Sequence, residues 1–192
     1  MHRFMAPLLL VGSFFIHQQA LALVSVAAQY SRHTVKTSNA ADMDLKTSGN
    51  AVAGELHVDP IPLIPISFGL SLGYLELKAA DFGDFKKVSL MEGSFEMMAW
   101  LPMIPYVIPH IRLSIPVYGP LIGVPNVSSI TAKEIKTELS GYAFHGGLSF
   151  SILPLTSLFV EAGLSNKEAK DLFGKSREFN ATIYTVGLEV GL

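Results

Sequence analysis

Ionisable side chains that could do chemistry stand at alternate positions inside apolar stretches of the sequence. Eight of them share the small or polar side of these stretches: Glu55, His57, Glu92, Glu96, Arg112, His145, Glu161 and Glu189. Carboxylates and imidazoles transfer protons, and a guanidinium holds two carboxylates through its planar fork. Because Arg112 is the only full cation of the eight, we predict that it pairs with Glu92 and Glu96 on the preceding strand. The excess of glutamates predicts that water or added protons offset their charge.

No motif in the sequence predicts a cofactor or a catalytic metal. His57, His110 and His145 lack the spacing of a helical zinc motif. Gly146 and Gly147 fall within a strand pattern rather than before a helix, so they do not form a phosphate loop. We therefore expect no metal, no cofactor and a packed polar network in place of an active site.

Strands are predicted to carry these residues, because apolar and small or polar residues alternate with a period of two. The pattern is clear at the C-terminus, where Tyr184, Val186, Leu188, Val190 and Leu192 share one face. Eight such stretches occur, at positions 24–31, 52–59, 65–74, 91–101, 110–118, 143–152, 158–165 and 181–192. An even number of strands brings both chain ends to one side, as bacterial membrane barrels require.

The connections between these strands are of two kinds, which alternate along the chain. Three are short and apolar, at positions 60–65, 102–109 and 153–157. Four are longer and charged, at positions 36–50, 78–87, 119–137 and 166–177. This alternation predicts short turns at one end of the barrel and long loops at the other.

The scarcity of charge favours lipid over water as the surroundings of the barrel. Only 16% of residues are charged, 49% are hydrophobic and the mean hydropathy is +0.40. Lys and Asp concentrate in the long connections, whereas the polar strand face is mostly Gly and Ser. We therefore predict a single closed antiparallel up-and-down transmembrane β-barrel, with its apolar face towards lipid and its small and polar face in the lumen. Pro116 is expected at a bulge or above the membrane. Aromatic residues near the strand ends predict interfacial girdles.

The N-terminus is expected to direct export. Arg3, the apolar stretch 8–16 and Ala20-Leu21-Ala22 match a signal peptide, so we predict residues 1–22 as the signal and 23–192 as the barrel domain. The apolar run 97–115 contains three prolines and cannot form a transmembrane helix. The chain has no cysteine, which excludes disulfides, and its net charge of −2 gives no indication of nucleic-acid binding.

The whole stretch 23–192 resembles the small outer-membrane barrels of the OmpA-transmembrane, OmpX and OmpW type. Its C-terminal segment 184–192 looks like the signal read by the barrel-assembly machinery, although that family usually ends in Phe or Trp and this chain ends in Leu192. The resemblance implies the outer membrane of a Gram-negative bacterium, membrane lipid as surroundings, and the assembly machinery as a partner during biogenesis.

The expected function is a non-enzymatic membrane scaffold whose four long external loops carry any recognition. Three alternatives stay open. One is a narrow channel or transporter of small hydrophobic solutes, and another is a soluble lipocalin-like periplasmic binder with the apolar face inside. The third is a lipid A-modifying acyl hydrolase. Against it, the His-x-Ser-Asn motif of lipid A deacylases corresponds to Gly163-Leu164-Ser165-Asn166, which lacks the histidine.

Overall fold

The structure is a computed structural model, and it describes residues 24–38, 44–60, 64–78, 85–101, 107–119, 121–125, 133–135, 138–170 and 176–192. The predicted signal peptide lies outside the described residues, as do the central parts of the four long connections. No described segment is a helix capable of crossing a bilayer.

Eight long antiparallel strands close into a barrel, which confirms the predicted fold. The strand bounds are β1 Val24–Ser38, β2 Asp44–Val58, β3 Ile66–Lys78, β4 Phe85–Trp100, β5 Val107–Tyr118, β6 Leu121–Pro125, β7 Lys133–Ile135, β8 Glu138–Leu153, β9 Thr156–Lys170 and β10 Ser176–Gly191. The order of the eight long strands around the barrel is β1-β2-β3-β4-β5-β8-β9-β10, and β10 pairs with β1 to complete the ring. Two short strands, β6 and β7, add a hairpin to β4 at the end where β5 has left it.

All eight predicted barrel strands are present, but several extend further towards the long loops than predicted. The predicted connections 36–50 and 166–177 are too long, because β1 continues to Ser38 and β9 to Lys170. The predicted loop 119–137 also contains β6 and β7. Backbone pairing continues in these segments after the apolar alternation has ended, so the periodic signal stops before the strand does. We call the two ends of the barrel the long-loop end and the turn end.

Pro116 lies beside a β-bulge, as predicted. Ser94 on β4 is opposite Pro116 and Gly93 is opposite Tyr118, so Val117 is the extra residue. Val117 and Tyr118 both face outward. The bulge ends the pairing of β5 with β4, and Leu121 of β6 then continues it opposite Leu90.

The large apolar side chains face outward, as predicted. Leu70 and Leu72 on β3 are 59% and 55% exposed, whereas Ser67 on the same strand is buried. The outer face of the other barrel strands shows the same pattern, with Leu56, Phe144, Leu164 and Val186 among its exposed residues. The barrel is therefore apolar outside. The chain does not form a lipocalin-like binder, because such a binder would hold these side chains inside.

The lumen is less uniformly polar than predicted. Towards the long-loop end it contains a cluster of buried apolar side chains: Val35, Leu77, Ala143, Ala181 and Ile183, with Leu75 and Phe179 packed against them. The prediction of a small and polar lining is therefore wrong for this part. Val35, Leu77 and Phe179 lie on the extended parts of the strands, whereas Ala143, Ala181 and Ile183 are apolar residues at inward positions of the predicted strands.

Tyrosines mark the long-loop end of the apolar outer band. They are exposed on five different strands: Tyr30, Tyr74, Tyr118, Tyr142 and Tyr184. This arrangement is typical of an interfacial aromatic girdle. Phe159 is instead buried in the lumen, against the edge of the His110 ring.

Candidate functional site: the polar network of the lumen

Arg112 lies at the centre of the lumen, and its side chain is 2% exposed. Its Nη1 donates to Glu55 and its Nη2 donates to Glu161, in two short ion pairs. Nη2 also donates to Oε1 of Gln29 at 3.0 Å, and Nη1 lies 3.5 Å from Oε2 of Glu96. One guanidinium on β5 therefore connects β1, β2, β4 and β9.

The predicted pairing of Arg112 is correct for Glu96 and wrong for Glu92. In the register of β4 and β5, Arg112 lies opposite Met98. Glu96 is two residues from that point, about 7 Å along the strand, and Glu92 is six residues away, about 20 Å. The stronger partners, Glu55 and Glu161, come from strands that do not neighbour β5, so sequence order gave no indication of them.

Glu92 pairs with Lys167, a cation within the predicted connection 166–177. Nζ of Lys167 lies 2.6 Å from Oε1 of Glu92 and 2.5 Å from Oε2. Lys167 is on the extended part of β9 and points into the lumen, so Arg112 is not the only interior cation. The signal was present in the sequence, because Lys167 continues the parity of Glu161, Gly163 and Ser165.

Histidines extend the network to further strands. Nε2 of His57 lies 3.2 Å from Glu96 and 3.7 Å from Glu55, and its Nδ1 lies 3.9 Å from Glu189. Ser25 of β1 donates to Glu189 at 2.6 Å.

On the other side of the lumen, two histidines contact Glu161. Nε2 of His110 lies 2.9 Å from Oε1 of Glu161, and Nδ1 of His145 lies 3.5 Å from its Oε2. His110 also contacts Ser149 at 3.2 Å. His110 was absent from the predicted interior set, although it shares the parity of Arg112. With the hydrogen bond between Ser71 of β3 and Glu96, each of the eight barrel strands contributes a side chain to the network.

A metal ion has one conceivable set of ligands among the described residues, Glu55, His57 and Glu96, whose ligand atoms lie within 4.8 Å of one another. Two of the three already contact the Arg112 guanidinium. A second cation would have to sit beside that fixed positive charge, which Coulomb repulsion opposes. The cluster is suited to holding Arg112 and to sharing protons between imidazole and carboxylate.

Ser165 and Asn166 do not form a joint site. Ser165 is buried in the lumen, opposite Ala143 and Ala181, whereas Asn166 faces outward. Adjacent strand residues point to opposite faces. The serine and the amide therefore cannot act on one substrate.

No protein-family model matches this chain, and no curated protein matches its sequence significantly. Solved structures do match. Neisserial surface protein A is 14% identical over 87% of this chain and 97% of its own, with a TM-score of 0.58. OprG, an outer-membrane protein of Pseudomonas aeruginosa, is 8% identical over 89% of this chain and 96% of its own, with a TM-score of 0.49. The attachment invasion locus protein Ail of Yersinia pestis is 9% identical over 86% and 97%, with a TM-score of 0.44.

At this level of identity the likeness concerns the fold, and it agrees with the closed ring of eight strands described above. The chain has the fold of the small eight-stranded outer-membrane β-barrels.

Proposed function

We propose that this protein is an exported outer-membrane scaffold whose lumen is closed and whose long loops carry recognition. One observation carries the proposal: the Arg112 network ties opposite walls of the lumen together while the outer wall is apolar. An eight-stranded barrel is just wide enough for side chains to fill it. Charged groups at this depth must be paired, and Arg112 with Glu55 and Glu161 meets that condition.

Two layers support a closed lumen. The Arg112 network fills the middle, and the apolar cluster around Leu77 and Ile183 fills the part nearer the long loops. The Lys167–Glu92 pair provides a second polar cross-link. Because both layers place side chains across the lumen, the proposed scaffold presents its loops and rim to partners.

Export and insertion are proposed from the ends of the chain. Residues 1–22 would direct secretion and be removed. The C-terminal strand β10, which pairs with β1 to close the ring, would be recognised by the barrel-assembly machinery. We propose no catalytic activity and no cofactor.

Membrane fractionation tests this proposal. The protein should stay with the outer-membrane fraction after urea and alkaline washing, and it should migrate faster on a detergent gel when unheated than when boiled. Release into the soluble fraction would contradict it.

Planar bilayers test whether the lumen is closed. We expect no steady conductance from the purified protein. An Arg112→Ala variant with Glu55→Ala and Glu161→Ala, which empties the centre of the lumen, provides the comparison that would reveal a path. Steady conductance of the unmodified protein would overturn the closed lumen.

A transporter of small hydrophobic solutes is the second candidate. The buried apolar cluster near the long loops favours it, because such a lining suits an apolar solute. Uptake of a small apolar dye by proteoliposomes would distinguish the two functions: a scaffold gives the same rate as empty liposomes.

A further inference from the structure

The outward face of the β1–β2 pair carries three cations on the long-loop side of Tyr30 and Val52. Arg32 and Lys36 on β1 and Lys46 on β2 are all exposed. Lys36 lies directly opposite Lys46 in the antiparallel register. Like charges placed directly opposite each other destabilise a sheet, so an anion bound between the two lysines would offset their repulsion.

The residues between these cations are also hydrogen-bond donors. From the row of Arg32 to the row of Lys36, the outward positions of the two strands carry three cations and three uncharged donors, all described: Arg32, Thr34, Lys36, Lys46, Ser48 and Asn50. None of the six is a carboxylate. Acids flank this set: Glu76 on β3 is the register partner of Asn50, Glu178 lies on β10, and Asp44 begins β2 two residues before Lys46.

An apolar groove lies directly below these three cations, which we call the cationic seam, and it extends across β1, β2 and β3. It has a volume of about 570 Å³ and is lined by Ala28, Gly54, Tyr30, Val52, Leu72 and Tyr74, among others. Ala28 and Gly54 are register partners, and a Cβ at Gly54 would meet nothing within 4 Å. Small residues flanked by larger ones thus form a depression in the outer wall.

Along the strands, the apolar groove is followed by the cations, which is the order of the acyl chain and the headgroup in a lipid. The groove lies within the apolar band, Tyr30 marks its upper boundary, and Arg32 follows two residues further along β1. Basic residues beside a membrane attract anionic headgroups, and Arg and Lys are the usual ligands of phosphate. An acyl chain and the phosphate it is attached to would therefore meet matching surfaces in the right order.

We propose that this groove and the Arg32–Lys36–Lys46 seam form a binding site for one phosphorylated lipid of the external leaflet. The acyl chain occupies the groove, and the phosphate of the headgroup lies among the three cations. This inference rests on the membrane placement proposed above.

Native mass spectrometry of the folded protein in detergent, titrated with bis-phosphorylated lipid A, tests the site. The variant R32Q/K36Q/K46Q should bind about 100-fold more weakly, since each cation near a lipid headgroup contributes roughly a factor of five. The variant K133Q/K136Q/K175Q removes the same charge from other segments and should bind as the unmodified protein does. Equal weakening by both variants would overturn the site.

The groove has its own matched pair of variants. Gly54→Leu fills the depression and should weaken binding several-fold without changing charge. Gly146→Leu places the same side chain at another outward glycine with open space, on β8, and should leave binding unchanged. Binding unaffected by Gly54→Leu would remove the acyl chain from the proposal.

Three ligand controls complete the test. Lipid A stripped of its phosphates and phosphatidylcholine should each bind more weakly than the phosphorylated lipid. Displacement of the lipid by an equal concentration of inorganic phosphate would show a site for the free ion and overturn the proposal. Wild-type protein that fractionates as a heat-modifiable barrel but shows no preference for phosphorylated lipid would refute this inference and leave the scaffold proposal standing.

Discussion

The imidazole of His145 on β8 packs against Gly163, its register partner on β9. A Cβ at Gly163 would lie 2.7 Å from Nδ1 of His145, closer than real contacts allow. The same relationship holds for three other interior rings and the glycines directly opposite them: His57 with Gly69, His110 with Gly147, and Phe159 with Gly187. Each ring thus lies over a strand position that has no side chain.

Glycine opposite a ring predicts a specific cost of substitution. Gly187→Ala places a methyl carbon against Cζ of Phe159, closer than van der Waals contact allows, and because the ring is buried, the ring or the backbone must move. Overpacking of this kind typically costs about 1–3 kcal/mol. Reversible urea unfolding in lipid vesicles, followed by tryptophan fluorescence, measures the loss.

Gly146→Ala is the control for that experiment. Gly146 lies on the outer face with nothing within 4 Å of the added atom. Its free energy of unfolding should change by less than that of Gly187→Ala. Equal losses for the two variants would show that strand propensity, and not ring packing, sets the cost.

Arg112→Met should destabilise the barrel strongly. It leaves Glu55 and Glu161 buried without their counter-charge. Removing one partner of a buried ion pair costs about 3–5 kcal/mol. The same unfolding assay applies, and the triple variant R112M/E55Q/E161Q should recover a large part of the loss because it removes the unpaired charges as well. A triple variant no more stable than Arg112→Met would contradict this account.

The sequence predicted the strands and their facing well where alternation was strong, as from Ile66 to Tyr74. The prediction failed where a contact joins residues on strands that are not neighbours. Which carboxylates reach Arg112 depends on the width of the lumen, and neither Glu55 nor Glu161 neighbours it in strand order. The predicted strands also ended too early at the C-terminal ends of β1 and β9, because polar residues lie on both faces there. Lys167 therefore fell in a predicted loop.

Lys167 and Glu92 should show measurable coupling. Their side chains are 12% and 16% exposed, and their charged atoms are in direct contact. In a double-mutant cycle of Lys167→Met and Glu92→Gln, we expect an interaction energy within the usual range of about 0.5–3 kcal/mol. Pairing Lys167→Met with Glu178→Gln, an outward acid on the next strand, supplies a non-contacting comparison. A coupling near zero for Lys167 and Glu92 would place the lysine outside the lumen.

Asp59, in the turn after β2, should make the stability of the barrel depend on pH in an unusual direction. Burial raises the pKa of Asp59 from 3.8 to about 6, with the charge of Glu189 adding to the rise and His57 opposing it. Because the folded form then binds the proton more tightly than the unfolded chain, the contribution of Asp59 to stability is full below pH 3.8 and is lost as the pH rises to about 6. Asp59→Asn removes this titration. As the pH rises from 3.8 to about 6, the free energy of unfolding of the variant should therefore increase relative to that of the unmodified protein, and above about pH 6 the difference should stay constant. A difference that is flat across the window, or that grows as the pH falls, would show that the carboxyl of Asp59 titrates in the fold as it does in water or is held ionised there.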